Sequence, residues 1–313
     1  MVVLAAASLA AGCGQAGTGA GAGTGTGAGD RRLEQQARPA QPGQPAGHAQ
    51  GRPPLKAPAA RALDSYATGL HRSYAARVAA AKHWKLAKLP LVPPPPPAKK
   101  PVLTTREGFE VDGHEDEDLP PVFTTVPTED KVVFLTIDDG AEKDPAFLRM
   151  MSELKIPYTV FLSDFAVKDD YGYFRRMRDR GVVLNNHTLH HRYLPALSYK
   201  EQKHEICGMQ EVMRKQFGER PALFRPPYGN YDRDTLRAAK SCGVKAAPLW
   251  DEEVYVDHWE YREDDRDLHP GDIVLTHFRG RGEWDGTMPD MVRRFLKKVT
   301  DKGYAVARLE DYL

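Results

Sequence analysis

Short apolar runs alternate with amphipathic segments from about Val122 to the C-terminus, and this alternation limits the fold more than any other feature of the chain. The run 131–137 is almost entirely apolar, which is typical of a strand buried on both faces of a parallel sheet. Asp144 and Pro145 then match the N-cap and first position of a helix. Because strand and helix signals keep repeating, the sequence predicts an α/β domain with parallel strands, either a barrel or an open sheet.

The later elements continue this pattern. Ser198 and Glu201 form a predicted capping box that opens a helix, and Gly218 marks its end. The predicted strands lie at 158–162, 182–184, 222–224, 245–249, 272–276 and 304–309, and the predicted helices at 144–154, 173–180, 198–217, 232–242 and 289–302.

The overall charge argues against a nucleic-acid partner. The 313 residues carry 44 Lys and Arg against 43 Asp and Glu, whereas nucleic-acid-binding domains present a basic excess. No apolar stretch reaches the roughly 20 residues that span a bilayer. Three cysteines cannot form a disulfide framework. Cys207 and Cys242 fall on separate predicted helices, and the sequence does not show whether their Cα atoms come within the roughly 7 Å that a disulfide needs. We expect two buried free thiols, with a disulfide as the alternative.

The N-terminal part of the chain is predicted to be an export signal followed by a flexible spacer. Residues 1–13 form a short apolar run with small residues before Cys13. This pattern indicates an export signal that resembles a bacterial lipobox, in which Cys13 would carry lipid; ordinary secretion is the alternative. The predicted divisions are a signal segment at 1–13, a disordered Gly/Ala/Pro spacer at 14–60, a basic segment at 61–90, a Pro-rich and acidic linker at 91–121 and a folded domain at 122–313.

The basic segment 61–90 has apolar residues at helical spacing beside several Lys and Arg side chains. This favours a basic amphipathic helix that would lie on anionic headgroups or cell-wall polyanions. The alternative is a marginal helix that stays exposed to solvent.

Polar clusters follow the predicted strands at the point where each strand ends, and in either architecture these ends gather at one face of the domain. Packing alone would place Val or Leu there. The clusters therefore predict a reactive site, and they comprise Asp138 and Asp139, His187 and His191, Arg225 to Tyr228, and His277.

Two histidines four residues apart suggest a metal site. On one helical turn, His187 and His191 would lie within reach of each other. One added carboxylate makes a two-His-one-carboxylate site with open positions, which suits a catalytic metal better than a structural one. Because successive strand residues point to opposite sides, Asp138 and Asp139 should have separate roles.

Such a metal would polarise a carbonyl and lower the pKa of its water, while a neighbouring carboxylate takes the proton. His277 is the available acid for the leaving amine, with a hydrogen-bonded core histidine as the alternative. The residues thus predict amide or ester hydrolysis.

Four ordered motifs resemble those of the NodB-homology polysaccharide deacetylases, carbohydrate esterase family 4. They are Thr136–Gly140, His187–His191, Arg225–Gly229 and Leu275–His277, and the resemblance spans about residues 130–312. It implies a distorted (β/α) barrel with fewer than eight parallel strands. The implied activity is removal of N-acetyl groups from an N-acetylglucosamine polymer.

The resemblance also implies a role for each matching residue. Asp138 would be the catalytic base and His277 the general acid. Arg225 would orient Asp138, and the backbone N–H of Tyr228 would help to hold the oxyanion. Asp139, His187 and His191 would bind one divalent ion. The first candidate is zinc, and the others are cobalt, manganese and nickel.

One family motif departs from its usual form. The segment 250–259 offers Asp251, or Asp257 with Trp259, in place of the usual Asp and Trp, and neither has the usual spacing. The group that tunes His277 is therefore open.

We expect a monomeric polysaccharide N-deacetylase whose substrate is a glycan polymer. We expect no nucleic-acid partner. The enzyme would be an exported membrane lipoprotein facing the cell wall, or a secreted protein, and peptidoglycan would be its substrate. The alternatives are a chitin or chitooligosaccharide deacetylase and a catalytically impaired glycan-binding module.

Overall fold

In the computed structural model, the described residues are 58–113 and 118–313. The predicted signal segment with Cys13, the spacer up to residue 57 and most of the acidic run 115–118 lie outside these ranges. Within them, no helix combines the length and apolarity needed to cross a membrane.

The main sheet is built on a long central strand. The strands of the structure are β1 (Val122–Phe123), β2 (Val132–Asp139), β3 (Thr159–Leu162), β4 (Val183–Asn186), β5 (Ala247–Pro248), β6 (Glu252–Val254), β7 (Trp259–Tyr261), β8 (Ile273–His277) and β9 (Ala305–Val306). The strand order of the main sheet is β4-β3-β2-β8-β6-β7, and β9 also pairs with the central strand β2. All of these pairings are parallel except the one between β6 and β7.

Short β-bridges curve this sheet into a barrel. Asn186 at the end of β4 bridges to Phe224, and Leu223 bridges to Ala246. The chain next to Ala246 forms β5, which pairs with β1, and Thr125 just after β1 bridges to Asp272. The predicted distorted (β/α) barrel is therefore confirmed, although 222–224 contributes isolated bridges instead of a full strand.

Helices surround the barrel and begin at capping residues that the sequence provides. Asp144 accepts a hydrogen bond from the Ala146 amide, and the capping box of Ser198 and Glu201 opens α5 as predicted. The helices are α1 (Pro58–His83), α2 (Pro145–Leu154), α3 (Asp164–Val167), α4 (Tyr171–Arg178), α5 (Tyr199–Phe217), α6 (Arg233–Ser241) and α7 (Met288–Asp301).

The basic segment 61–90 contains most of α1, and the C-terminal end of this helix packs on the domain. Ala80, Ala81 and Trp84 are buried, and the Trp84 indole donates a hydrogen bond of 2.7 Å to Glu153 on α2. The earlier turns differ, because they leave large apolar side chains exposed to solvent: Leu63, Tyr66, Leu70, Tyr74 and Val78.

Cys207 and Cys242 form a disulfide, so the expectation of two free thiols is wrong. Packing of α5 beside α6 brings their Cα atoms to 5.1 Å, within the range that a disulfide requires. Sequence spacing does not show how two helices pack, and it therefore could not predict the bond.

Removing this bond should destabilise the domain. It closes a loop with a sequence separation of 35 residues, and the loss of loop-closure entropy from the unfolded chain is worth about 3–4 kcal/mol. The double variant C207S/C242S should lose stability of this order in urea unfolding, and reducing agent should then change its midpoint no further. An unchanged midpoint in the double variant would show that the bond contributes little.

Candidate active site

Both aspartates at the end of β2 face one site. Asp139 has φ 73°, a left-handed conformation that breaks the alternation. Its Oδ1 lies 3.7 Å from His187 Nε2, and Asp138 Oδ2 lies 3.6 Å from the same atom. Gly140 continues the turn at φ 98°, and a Cβ there would lie 2.4 Å from Val167, so this position requires glycine.

The two histidines are held by a loop after β4, and the predicted helical turn is absent there. Thr188 and His191 both have positive φ values, 73° and 53°. This backbone brings the His187 and His191 rings to a centroid distance of 4.8 Å. His187 Nδ1 lies 2.7 Å from the Arg225 carbonyl oxygen, so Nδ1 donates to that carbonyl and Nε2 presents its lone pair to the aspartates.

Asp139, His187 and His191 form a group that fits a divalent metal ion. Their nearest ligand atoms lie within 4.8 Å of one another, and His191 Nε2 is 3.4 Å from Asp139 Oδ1. That buried oxygen has no hydrogen-bond partner. Burial, with the neighbouring His187, lowers the pKa of His191 to about 4, which leaves its imidazole neutral. An orphaned carboxylate oxygen facing two imidazoles is the donor set of a metal with open positions.

Arg225 lies beneath the site and contacts Asp138. Its Nη1 donates a hydrogen bond of 2.9 Å to Asp138 Oδ1, while its other nitrogens donate to the carbonyls of Pro248 and Leu249. The guanidinium is fully buried, and it lies 4.3 Å from the centre of the Phe161 ring. These contacts fix the orientation of the Asp138 carboxylate.

His277 ends β8 directly beside Asp138, its register partner on β2. Its Nδ1 lies 2.9 Å from Glu253 Oε1, and the His277 side chain is 23% exposed. Burial alone would lower the pKa of His277, but the Glu253 carboxylate and then Asp138 outweigh it and raise the pKa above its usual value. Such a histidine keeps its proton to a higher pH than usual.

Glu253 is therefore the partner of His277, and neither aspartate offered by the sequence takes that place. Asp251 is buried elsewhere, with an ion pair to Arg106, and the Asp257 side chain is 74% exposed beside His258. Three consecutive acidic residues at 251–253 signal a functional strand. Only the register of β6 against β8 shows which of them faces His277.

Arg279 is a second site residue that the sequence reasoning missed. Its Nη2 donates a hydrogen bond of 2.8 Å to Asp139 Oδ2, and its Nη1 contacts Glu283. The guanidinium therefore holds one oxygen of Asp139 and leaves Oδ1 free toward the histidines. The one sequence feature that could have indicated a role for Arg279 is its position two residues after His277.

Tyr228 lies at the rim of the site in a strained conformation. Its backbone has φ 62° in the short turn Pro227–Gly229, and its side chain is 59% exposed. Its ring packs edge-on against His191 at a centroid distance of 4.7 Å. Strained non-glycine residues often occur at functional sites.

Known proteins resemble this chain in sequence and in fold. The polysaccharide deacetylase family profile matches residues 125–247. An uncharacterized protein of Streptomyces coelicolor is 44% identical over 196 residues, covering 62% of this chain and 78% of that protein. The chain belongs to the polysaccharide deacetylase family. The predicted resemblance to polysaccharide deacetylases is confirmed, and the chain is accordingly a hydrolase of that family.

Other relatives are named for an activity or have a solved structure. The peptidoglycan-N-acetylmuramic acid deacetylase PdaC of Bacillus subtilis is 32% identical over 212 residues, which are 63% of this chain but 42% of that protein. A family 4 pseudoenzyme from Bacillus anthracis aligns with a TM-score of 0.53 at 21% identity, over 64% of this chain and 71% of that structure. At this identity the alignment shows the shared fold alone.

In this polysaccharide deacetylase, Glu253→Gln should shift the alkaline limb of the pH profile. The resemblance implies that His277 is the general acid, and an acid must be protonated to act, so activity should fall as pH rises through the His277 pKa. Loss of the Glu253 charge lowers the pKa of His277, so the alkaline limb should move to lower pH. At pH values above the limb, kcat should fall about tenfold for each pH unit by which the pKa drops. The control is Glu260→Gln, the exposed cross-strand partner of Glu253. Identical pH profiles for the two variants would contradict the role of Glu253.

Proposed function

We propose that this enzyme is a metal-dependent N-deacetylase that hydrolyses the acetamido groups of cell-wall peptidoglycan. One observation carries the proposal. The carboxylates of Asp138 and Asp139 both lie within 3.7 Å of His187 Nε2. His191 contacts Asp139 from the same loop as His187, and His277 lies beside Asp138 on the next strand. A glycan-binding module has no need of a base and an acid beside a metal-binding group.

Asp139, His187 and His191 would hold the divalent ion, with zinc as the first candidate because the donors are nitrogen and oxygen. When bound, such an ion acts as a Lewis acid on the amide carbonyl and lowers the pKa of the attacking water. Arg279 contacts the other carboxylate oxygen of Asp139 and so keeps Oδ1 directed at the imidazoles.

Asp138 and His277 would move the protons of the reaction. Asp138 accepts a proton from the water whose oxygen attacks the acetyl carbon, and Arg225 holds the carboxylate in place. The carbon–nitrogen bond then breaks, and His277 gives its proton to the departing amine. The products are acetate and a free amino sugar. The backbone N–H of Tyr228 would donate to the oxyanion.

Two observations favour peptidoglycan as the substrate: the activity named for a relative of the chain, and a disulfide that is typical of proteins outside the cytosol. PdaC, which is named as a peptidoglycan deacetylase, is 32% identical. The disulfide Cys207–Cys242 is typical of an oxidising compartment outside the cytosol. We propose that the protein is exported and that lipid on Cys13 tethers it near the wall as a monomer. The exposed apolar side chains of α1 would add contact with the membrane surface.

Acetate release tests this proposal. The full chain is incubated with purified peptidoglycan and, in parallel, with chitin oligomers, each with and without prior treatment with chelator. We expect acetate from peptidoglycan, its loss after chelation and its return when zinc is added. Greater acetate release from chitin oligomers would make chitin the proposed substrate in place of peptidoglycan. No release from either glycan would favour a glycan-binding module over an enzyme.

A further inference from the structure

A second group of potential metal ligands lies at the opposite end of β8 from His277. It consists of Glu252 on β6, Asp272 immediately before β8 and His269 in the preceding loop, and their nearest ligand atoms lie within 4.8 Å of one another. Asp272 and His277 are separated by five residues of extended chain, about 16 Å at about 3.3 Å per residue. The group is therefore separate from the active site.

Glu252 gives the first sign that this group binds a ligand. Its side chain is 1% exposed, and its Oε2 atom has no hydrogen-bond partner. Burial, followed by the charge of the neighbouring Asp272, raises the pKa of Glu252 above its usual value. A buried carboxylate pair of this kind needs either a shared proton or a cation.

His269 gives the second sign, because its ring is oriented as in a metal site. Nε2 lies 3.0 Å from Asp265 Oδ2, and Nδ1 lies 3.4 Å from Asp272 Oδ2. Metal-bound histidines commonly donate their other N–H to a carboxylate, as Nε2 does here toward Asp265. With that tautomer, Nδ1 presents its lone pair toward Asp272, 3.4 Å away, so the ring nitrogen and the two carboxylates are placed to share one cation.

Two members of the group, His269 and Asp272, are also accessible from a cavity. This cavity of about 560 Å³ is lined by His269, Asp272 and a surplus of acidic side chains over Arg106 and Arg262. Both arginines lie toward Asp251, with which each forms an ion pair. The acidic side near His269 would attract a cation from solvent.

We infer that Glu252, His269 and Asp272 form a second divalent-cation site, independent of the catalytic group. One imidazole and two carboxylates suit zinc, manganese or cobalt better than calcium or magnesium, which prefer oxygen ligands alone. A cation there joins the loop before β8 to β6, so its role is to stabilise this edge of the barrel.

Zinc stoichiometry tests this site without any measurement of activity. The full chain is stripped with chelator, titrated with zinc in a calorimeter and analysed by elemental mass spectrometry after desalting. Wild type should bind about two zinc ions per chain, and His269→Ala and His191→Ala about one each, since each removes a ligand from a different group. The His191→Ala variant should still gain thermal stability with added zinc, because the remaining ion binds only the folded state.

The matched control is His258→Ala. The His258 side chain is 48% exposed and lies between Asp257 and Glu260, whereas that of His269 is 44% exposed, so both are surface histidines among acids. His258→Ala should keep both ions. One zinc ion in the wild type, or equal zinc content in wild type and His269→Ala, would overturn the inference and leave a carboxyl pair that shares a proton. Acetate release by His269→Ala should persist, so the proposed function is tested separately.

Discussion

Asp138→Asn should abolish most acetate release and leave the metal content unchanged. In the wild type, Arg225 Nη1 donates a hydrogen bond of 2.9 Å to Asp138 Oδ1. The asparagine amide keeps an oxygen that accepts this bond, but it cannot take a proton from water. Loss of a general base costs about 10²–10⁴-fold, and this loss should appear in kcat. The measurement is acetate release from peptidoglycan together with zinc content per chain.

The same variant separates the roles of the two aspartates. Both carboxylates lie at almost equal distances from His187 Nε2, 3.6 Å for Asp138 and 3.7 Å for Asp139. The distinction rests on their other contacts, because Asp138 is held by Arg225 while Asp139 also faces His191. Loss of metal in Asp138→Asn would reverse the assignment.

His187→Ala and His191→Ala should each lower both metal binding and activity. Each change removes one of the three proposed ligands, and we expect a loss of about 10³-fold in acetate release, since Lewis-acid stabilisation is worth several kcal/mol. Zinc titration and acetate release on the same preparations give the two readouts.

The control for these variants is His190→Ala. His190 lies between the two ligands in sequence, yet its ring contacts Glu205 at 2.9 Å and its side chain is 58% exposed. It should keep full metal content at the catalytic group. If His190→Ala lost as much metal as its neighbours, the cause would be disruption of the loop, and the ligand assignment would lose its support.

The sequence alone placed most of the candidate site. The carboxyl ends of parallel strands meet at one face, so polar clusters after β2, β4 and β8 had to lie near one another. His277 beside Asp138 is the direct result, because the two are register partners on adjacent parallel strands. Cap residues such as Asp144 and Ser198 likewise fixed the starts of helices by local hydrogen bonding.

Only the tertiary structure decided the features that depend on contacts between distant segments. The left-handed backbone of Asp139 turns both aspartates to one side, the register of β6 selects Glu253 as the partner of His277, and helix packing joins Cys207 to Cys242. Periodicity describes which face of an element is buried, but it contains no information on how far one element is shifted along another. The chemistry of the site follows from residue types at strand ends, and its fine geometry follows from that packing.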